Sequence, residues 1–379
     1  MEQFNKNKNK KIKKILWFTW KDKKNPYAGG AEVVNTELAK RLVNEGYDVT
    51  FIVRGYNGCK ADEIIDGYRV IRLGNWKTVY WQAYKYYKKH LVGWADLVID
   101  EVNTLPFFCK FYVKEKNILF IHQLCRKIWF YQIAFPLCAI GCFLEPIYLW
   151  LLSGRKVITV SNSSKRDLLR YGFKERNIRL ISEGIEILPV QDLNSIKKFQ
   201  NPTILAHGSI KAMKRTDHII TAFEIAKEKI EDLKLIISGA PEGRYGAKVL
   251  DMIMNSKYHD SIEYLGRVSD EKKIELMQKS HLIALTSIKE GWGIVVTEAN
   301  SQGTPAVVYN VDGLRDSTRN NLTGLVSKHN TPIALAERIV ELLSDKKKYT
   351  KLQKAGWEWS KEINFENSFK DFINAINNS

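Results

Sequence analysis

Short apolar runs alternate along this chain with segments in which apolar residues recur every three or four positions. The runs have the length of buried strands, and the periodic segments suit helices that bury one face. Such alternation predicts an α/β fold with parallel sheets. In the first half, the predicted strands are Ile15–Trp20, Val49–Val53, Tyr68–Leu73, Leu97–Asp100, Ile118–Ile121, Val157–Val160 and Ile178–Ile181, and the predicted helices are Ala31–Asn44, Trp81–His90 and Ser164–Tyr171.

The second half repeats this pattern after a polar segment, Pro189–Pro202, that we interpret as an interdomain linker. Two doubly wound domains, 1–192 and 193–360, are therefore expected to face each other across a cleft, followed by an amphipathic tail over 361–379. The predicted strands are Thr203–Ala206, Lys234–Ser238, Ile262–Leu265, Leu282–Leu285 and Ala306–Tyr309, and the predicted helices are Asp217–Lys229, Ala247–Asn255, Asp270–Lys279, Ile294–Gln302 and Pro332–Leu343.

One segment, Ile133–Ser153, is apolar enough to suggest a membrane helix. Pro136, Glu145 and Pro146 interrupt it, and the uninterrupted apolar stretch is too short to span a bilayer. We therefore predict a buried or interfacial pair of helices here.

Charge is distributed unevenly over the 379 residues. The chain has 59 basic and 42 acidic residues, and residues 1–200 contain 34 of the basic and 19 of the acidic ones. The first half should therefore attract an anionic partner such as a phospholipid surface, a lipid diphosphate or nucleic acid. The alternative is that its lysines only increase solubility.

The cysteines and the N-terminal residues point to a reducing cytoplasm. The five cysteines are odd in number and match no zinc-binding spacing, so free thiols are expected. The Asn/Lys run Lys6–Lys14 contains no apolar signal-peptide core, and it is expected to be disordered before Lys13.

The segment Glu290-Gly-Trp-Gly-Ile-Val-Val-Thr-Glu298 contains the most specific candidate chemistry. Glu290 follows a predicted strand, at the edge where open α/β sheets bind ligands. The amides of Gly293, Ile294 and Val295 begin the next helix and would attract phosphate. Glu298 lies about one turn into that helix, and carboxylates accept hydrogen bonds from sugar hydroxyls. Together these groups suit a nucleotide sugar.

Three further loops follow predicted strands. Gly29 and Gly30 open the first helix, where a backbone without side chains can approach a ligand, although a plain tight turn would look the same. His122 ends a strand and is either a structural residue or a ligand contact. Lys214 and Arg215 follow the first strand of the second domain, where a cation can neutralise a departing diphosphate or can simply be solvated.

These motifs resemble the retaining glycosyltransferases of family 4, which have the GT-B architecture of two Rossmann-like domains. The resemblance implies that Glu290 contacts the donor sugar, that Glu298 holds the ribose, and that His122 hydrogen-bonds the sugar. It also implies that the Gly29–Gly30 loop faces the donor phosphates and the acceptor, and that the C-terminal helix crosses back to the first domain.

The second-domain loop departs from the family pattern. Lys214 matches the family's phosphate-binding lysine, but Ser209 stands where an arginine is expected, so Lys211 or Arg215 is the candidate replacement. Backbone near Val268 would contact the base, and Ser182-Glu-Gly184 stands where Asn-Gly is usual.

The function implied by the resemblance is transfer of a hexose from a UDP- or GDP-sugar, with retention and with neither a metal nor a cofactor. The expected acceptor is a lipid-linked glycan at the anionic inner face of the plasma membrane, because aromatic and basic residues interleave over Trp76–Lys89. Alternatives are a soluble small-molecule acceptor, and an epimerase or a phosphorylase of the same fold. A nucleic-acid-binding protein is a remote alternative that leaves Glu290 and Glu298 unexplained, so no nucleic acid is expected as a partner.

Overall fold

The computed structural model describes residues 12–378, so the predicted disorder over Lys6–Lys14 lies largely outside the described residues. The first domain is built on an eight-stranded sheet with strand order β3-β4-β2-β1-β5-β6-β7-β8. Every neighbouring pair is parallel except β3 with β4. Its strands are β1 (Lys14–Phe18), β2 (Asp48–Arg54), β3 (Asp62–Ile65), β4 (Tyr68–Leu73), β5 (Leu97–Glu101), β6 (Asn117–Ile121), β7 (Val157–Thr159) and β8 (Ile178–Leu180).

The antiparallel edge strand β3 is the main difference from the predicted first sheet. It forms a hairpin with β4 through Asp66 and Gly67, which have φ angles of 48° and 86°. Two consecutive residues with positive φ are typical of a type I′ turn, for which Asp-Gly is a favoured sequence. The dipeptide was therefore a usable signal for this strand.

Helices cover both faces of the first sheet. They are α1 (Gly30–Asn44), α2 (Val79–Tyr86), which continues as a π-helical turn to Leu91, α3 (Trp129–Gln132), α4 (Leu137–Leu152) and α5 (Asn162–Arg170). The register of β1, β5 and β6 places the side chains of Leu16, Phe18, Val98, Leu119 and Ile121 on one face of the sheet. The first three pack with α2, and the last two pack with α4. Helices α2 and α4 therefore lie on the same face of the sheet.

The prediction of a pair of helices over Ile133–Ser153 was wrong. One continuous helix, α4, passes through both Glu145 and Pro146, and only the four-residue α3 precedes it. Within residues 12–378, no helix combines the length and the apolarity needed to cross a membrane.

The second domain has a six-stranded parallel sheet with strand order β11-β10-β9-β12-β13-β14. Its strands are β9 (Thr203–His207), β10 (Lys234–Ser238), β11 (Ile262–Tyr264), β12 (Leu282–Leu285), β13 (Ala306–Val308) and β14 (Gly324–Val326). Its helices are α6 (Thr216–Lys227), α7 (Gly243–Met254), α8 (Asp270–Lys279), α9 (Ile294–Ser301), α10 (Leu314–Ser317), α11 (Pro332–Ser344) and α12 (Lys346–Ser360). Strand β14 and helices α10 and α12 were not predicted.

The last helix, α13 (Phe365–Asn377), belongs to the core of the first domain. Its Phe372 ring stacks on Trp17 of β1 at a centroid distance of 5.6 Å, and Phe365, Ala375 and Ile376 are buried with it. The predicted linker packs along the second domain, since the Val190 amide donates to Ser301 O and the Phe199 amide donates to Lys279 O. All five cysteines are free thiols.

Candidate functional site

The site lies where strand order reverses in the second sheet. From β9 the chain proceeds outward through β10 and β11, and it then returns to β12 on the other side of β9. The loops that leave β9 and β12 therefore meet at a topological switch point, where α/β sheets bind ligands. These loops contain Lys214 and Glu290.

Lys214 and Glu290 form a direct ion pair across these two loops. The lysine Nζ lies 2.5 Å from Glu290 Oε1, and Ser287 Oγ donates to the same oxygen at 2.6 Å. The Glu290 side chain is 13 % exposed and that of Lys214 is 28 % exposed, so both remain within reach of a ligand. The Glu290 amide donates to Asp312 O at 3.0 Å, which fixes the loop.

The Gly-Trp-Gly turn positions the start of α9. Gly293 has a φ of 96°, which favours glycine, and a Cβ there would lie 2.9 Å from Leu314 Cδ2. The first-turn amides of a helix have no intrahelical acceptor, so Ile294 and Val295 can donate to a ligand.

Both loops of the first domain that were singled out in the sequence reach this turn. A Cβ on Gly30 would lie 3.1 Å from Ile294 Cδ1, and a Cβ on Gly291 would lie 3.1 Å from the His122 carbonyl oxygen. The structure thus brings the Gly29–Gly30 loop and His122 against the Glu290–Val295 segment of the opposite domain.

His122 is buried at the end of β6 with its Nε2 unpaired. This nitrogen lies 3.9 Å from Glu101 Oε1 and has no hydrogen-bond partner within the described part of the chain. Burial lowers the pKa of His122 to about 4, so the ring is neutral at physiological pH. A neutral imidazole can hydrogen-bond a sugar hydroxyl without contributing charge.

Glu101 was not found from the sequence, although it is buried beside His122. Its carboxylate accepts from Trp17 Nε1 at 3.1 Å, Asn35 Nδ2 at 2.6 Å and Asn103 Nδ2 at 2.9 Å. Burial raises the pKa of Glu101 to about 8, and the negative charge of Glu32 adds to this effect. A carboxyl group at the end of a strand was the only signal for it.

Glu298 is buried on α9 and paired with a lysine that the sequence did not single out. Lys273 Nζ on α8 donates to Glu298 Oε1 at 3.2 Å. Burial raises the pKa of Glu298, and the charge of Lys273 opposes that shift. The lysine therefore favours the charged form of this carboxylate and holds its side chain in place.

The loop after β9 contains Lys211 and Arg215, the two candidate replacements for the arginine that the family pattern places at Ser209. Arg215 adopts a left-handed conformation, with a φ of 52°, and its charge acts on His218 and Tyr309. Burial lowers the pKa of Lys211, and the next largest contributions come from the charges of Lys214, Glu242 and Glu290. Lys211 is therefore near enough to the Lys214–Glu290 pair for their charges to affect its pKa.

The remaining predicted residues lie at the edges of the site. Ser209 is half-buried, and its carbonyl oxygen accepts from the Lys211 amide at 3.1 Å. The Val268 side chain packs on the core of the second domain, which leaves its backbone as the group that could contact a base. Gly29 N donates to Glu32 Oε2 at 2.6 Å, and Lys21 Nζ lies 3.5 Å from the other oxygen of Glu32.

Contacts between the two domains hold the two sides of the site together. Lys289, directly before Glu290, forms an ion pair with Asp167 of α5, and its Nζ lies 3.4 Å from Asp312 Oδ2. Met213, directly before Lys214, is buried against an apolar cluster of the first domain formed by Cys125, Ile128, Trp129 and Cys138. Both site loops are therefore anchored to the opposite domain.

The described residues, 12–378, contain no group of three or more His, Cys, Asp and Glu side chains placed to hold a metal ion. The chemistry available in the cleft consists of lysines, helix amides, two carboxylates and a neutral histidine. This combination can bind a diphosphate and orient hydroxyl groups.

Comparison with known proteins agrees with this geometry. Residues 192–359 match the family model for glycosyl transferases group 1, and residues 28–187 match the model for glycosyltransferase family 4. Among curated proteins, the chain is 25 % identical over 353 residues to an uncharacterized glycosyltransferase of Haemophilus influenzae, covering 91 % of this chain and 95 % of that protein.

Two further proteins are similar over most of the chain. One is the N-acetyl-alpha-D-glucosaminyl L-malate synthase of Bacillus anthracis, 24 % identical over 366 residues, which cover 84 % of this chain and 86 % of that protein. The other is Anabaena HepE, solved in complex with UDP-glucose, whose structure superposes with a TM-score of 0.72 at 16 % identity over 96 % of this chain and 99 % of that one. Because the two family models together span nearly all of both domains, and because the fold is GT-B, the chain belongs to the group 1, family 4 glycosyltransferases.

Proposed function

We propose that this glycosyltransferase transfers a hexose from a UDP- or GDP-sugar to a hydroxyl group of a lipid-linked glycan, in the synthesis of a cell-surface polysaccharide or glycoconjugate. The observation that carries the proposal is the Lys214–Glu290 pair at the mouth of the cleft, beside the start of α9 and opposite His122. A nucleotide sugar offers a diphosphate to the lysine and the helix amides, and hydroxyl groups to the carboxylates.

In this proposal each group acts on a different part of the donor. Lys214 and the α9 amides stabilise the charge that develops on the departing diphosphate. Glu290 orients the sugar, Glu298 accepts from the ribose hydroxyls, and neutral His122 bonds a sugar hydroxyl on the acceptor side.

The proposed reaction retains the anomeric configuration. The acceptor oxygen bonds to the anomeric carbon on the face from which the diphosphate leaves, through an oxocarbenium-like state. The acceptor proton passes to the departing phosphate oxygen. Neither a metal ion nor a covalent enzyme intermediate takes part.

The acceptor side of the proposal is supported by the charge of the first domain. Its excess of basic residues would hold the enzyme at the anionic cytoplasmic face of the plasma membrane, where lipid-linked acceptors are available. In the Trp76–Lys89 segment Tyr87 is fully buried, whereas Trp76 and Trp81 are 57 % and 60 % exposed beside Lys77 and Lys85. The two tryptophans are therefore the most exposed aromatic side chains that this segment offers to a membrane.

A soluble acceptor is the second candidate, because the Bacillus anthracis relative is named for a product of L-malate. An epimerase or a phosphorylase would use the same fold, but neither has a specific observation in its favour.

The test is hydrolysis and transfer with a panel of UDP- and GDP-sugars, with and without a chelator, using proton NMR to assign the anomeric configuration of the product. The proposal expects one preferred donor, retention, and no loss of rate on chelation. Inversion at the anomeric carbon, or turnover of no nucleotide sugar, would contradict it.

A further inference from the structure

Helix α4 exposes a continuous apolar stripe to solvent. Its exposed side chains recur at helical spacing, and Phe143 and Trp150 are 71 % and 68 % exposed. Phe135, just before the helix, is 81 % exposed. The stripe consists of Leu137, Ile140, Phe143, Leu144, Ile147, Trp150 and Leu151.

The stripe contains no charge. Between Lys127 and Arg155 the only charged residue is Glu145, and it is buried on the opposite face of the helix. An exposed apolar surface of this extent on a water-soluble domain indicates a binding surface.

One lysine contacts the C-terminal end of the stripe, and another lies in the segment that packs on the middle of α4. Lys127 is exposed before α3, and Lys110 donates from its Nζ to the carbonyl oxygen of Leu151 in the last turn of α4. Exposed Phe111 adjoins Lys110 and extends the apolar surface toward α2, where Trp81 is exposed on the same face of the sheet. An apolar centre with tryptophan and lysine at its border has the composition of elements that lie in a membrane interface.

The buried face of the same helix holds the loop that follows His122. Glu145 accepts from the amides of Cys125 at 2.8 Å and Arg126 at 2.6 Å, and from Trp129 Nε1 at 3.1 Å. The apolar stripe is therefore separated from the loop that follows His122 by about one helix diameter, roughly 10 Å.

We propose that α4 lies in the plane of an anionic bilayer, with its stripe immersed among the acyl chains and the bordering lysines at the headgroups. The helix is too short to span, and its other face is packed on the domain, so an in-plane position is the one that buries the stripe. Two copies joined through this face would bring their lysine borders together, whereas an anionic bilayer meets those lysines with opposite charge.

This inference rests on the proposed transfer to a lipid-linked acceptor, and it adds the surface by which the enzyme binds the membrane that contains this acceptor. In-plane insertion places the cleft beside the headgroups, where the hydroxyl of a lipid-linked glycan emerges. The Trp76–Lys89 segment contributes electrostatic attraction, which salt screens, while α4 contributes apolar contact, which salt does not screen.

The test compares the double variant F143E/W150E with the matched control M254E/I333E, which places the same charges on exposed apolar positions of the second domain. Flotation with vesicles of phosphatidylglycerol and phosphatidylcholine is measured at about 0.1 M salt, where charges are weakly screened, and at about 0.5 M salt, where they are strongly screened. Wild type and control should retain part of their binding at high salt. F143E/W150E should bind at least tenfold more weakly at both concentrations.

Two further readouts keep the result interpretable. Nucleotide-sugar hydrolysis in solution should be unchanged in F143E/W150E, which shows that the variant is folded, while transfer to acceptor in vesicles should fall with binding. Equal flotation of F143E/W150E and wild type would overturn the inference and leave the proposed reaction standing. The inference would also be overturned if light scattering showed that the wild type is a dimer and F143E/W150E is a monomer. Absence of hydrolysis in wild type would instead contradict the proposed reaction.

Discussion

Glu298 and Glu290 should contribute separately to donor binding. Glu298 is buried and held by Lys273 at 3.2 Å, in a position that suits the ribose. Glu298→Gln preserves the shape of the side chain and removes its charge. A hydrogen bond contributes about 1.5–3 kcal/mol to a charged acceptor and about 0.5–1.5 kcal/mol to a neutral one such as the glutamine amide oxygen. The loss of about 1–1.5 kcal/mol corresponds to an increase of about 5- to 13-fold in the Kd for a free nucleotide.

Glu290→Gln should behave differently, because its proposed partner is the sugar and a free nucleotide has none. Its carboxylate pairs with Lys214, so the substitution frees that lysine for the diphosphate and nucleotide affinity should not fall. Turnover with the intact nucleotide sugar should fall instead, since orientation of the sugar is lost.

Isothermal titration calorimetry with UDP and with GDP measures both effects, and steady-state kinetics measures turnover. Glu275→Gln is the matched control, because Glu275 is a partly exposed carboxylate on α8 that forms ion pairs with Lys272 and Lys279 of its own helix. Equal losses of nucleotide affinity in the Glu298 and Glu290 variants would refute the division of roles. Unchanged affinity in the Glu298 variant would remove the ribose assignment.

Three other outcomes can be checked. Lys214→Ala should lower kcat by on the order of 10²-fold with a smaller change in KM. In the same kinetic measurements, Lys211→Ala should show a smaller loss of kcat, and Arg215→Ala should stay near the wild type. Wild-type turnover in the Lys214 variant would exclude the role of Lys214 at the leaving group. Burial lowers the pKa of His122 to about 4, from about 6.5 in an unfolded chain, so its stabilising contribution is complete above pH 6.5 and is lost as the pH falls toward 4. The free energy of unfolding of His122→Asn, measured with urea, should therefore depend less on pH than that of the wild type. Parallel pH profiles of the two proteins would argue against this reasoning. Lys289→Met removes the ion pair with Asp167 that joins the two domains, so small-angle scattering should show a larger radius of gyration. An unchanged radius would mean that this ion pair does not hold the domains together.

The sequence determined the elements whose patterns are local. Strands β4, β10 and β12 and helix α8 have the predicted bounds, and the other predicted strands and helices differ by one to four residues at an end. Alternation and helical period are properties of neighbouring residues, so they can be recognised without tertiary information. The Gly-Trp-Gly turn between β12 and α9 belongs to the same class, because its strand, its turn and its helix are contiguous.

Short or polar elements were missed because tertiary contacts stabilise them. Helix α12 is rich in lysine and packs on α9 through buried Leu352 and Gly356, with a Cβ on Gly356 placed 2.9 Å from Asn300 Oδ1. Strand β14 has three residues and depends on β13 for its hydrogen bonds. Pro146 does not end α4, because the neighbouring residues Glu145, Tyr148 and Leu149 are buried on the domain, and local propensity yields to such tertiary packing.

The meeting of the two domains was decided by the tertiary structure alone. The sequence placed His122 and Glu290 at two strand ends, but the approach of Gly291 to the His122 carbonyl oxygen joins residues 169 positions apart and depends on how the two domains meet. The same holds for Lys273 beside Glu298 and for the exposure of Phe143 on α4, since a pattern shows that a face is apolar and cannot show what covers it. Local patterns fix the strands, turns and helices, whereas partners, burial and the pKa of each site residue arise from contacts between distant segments.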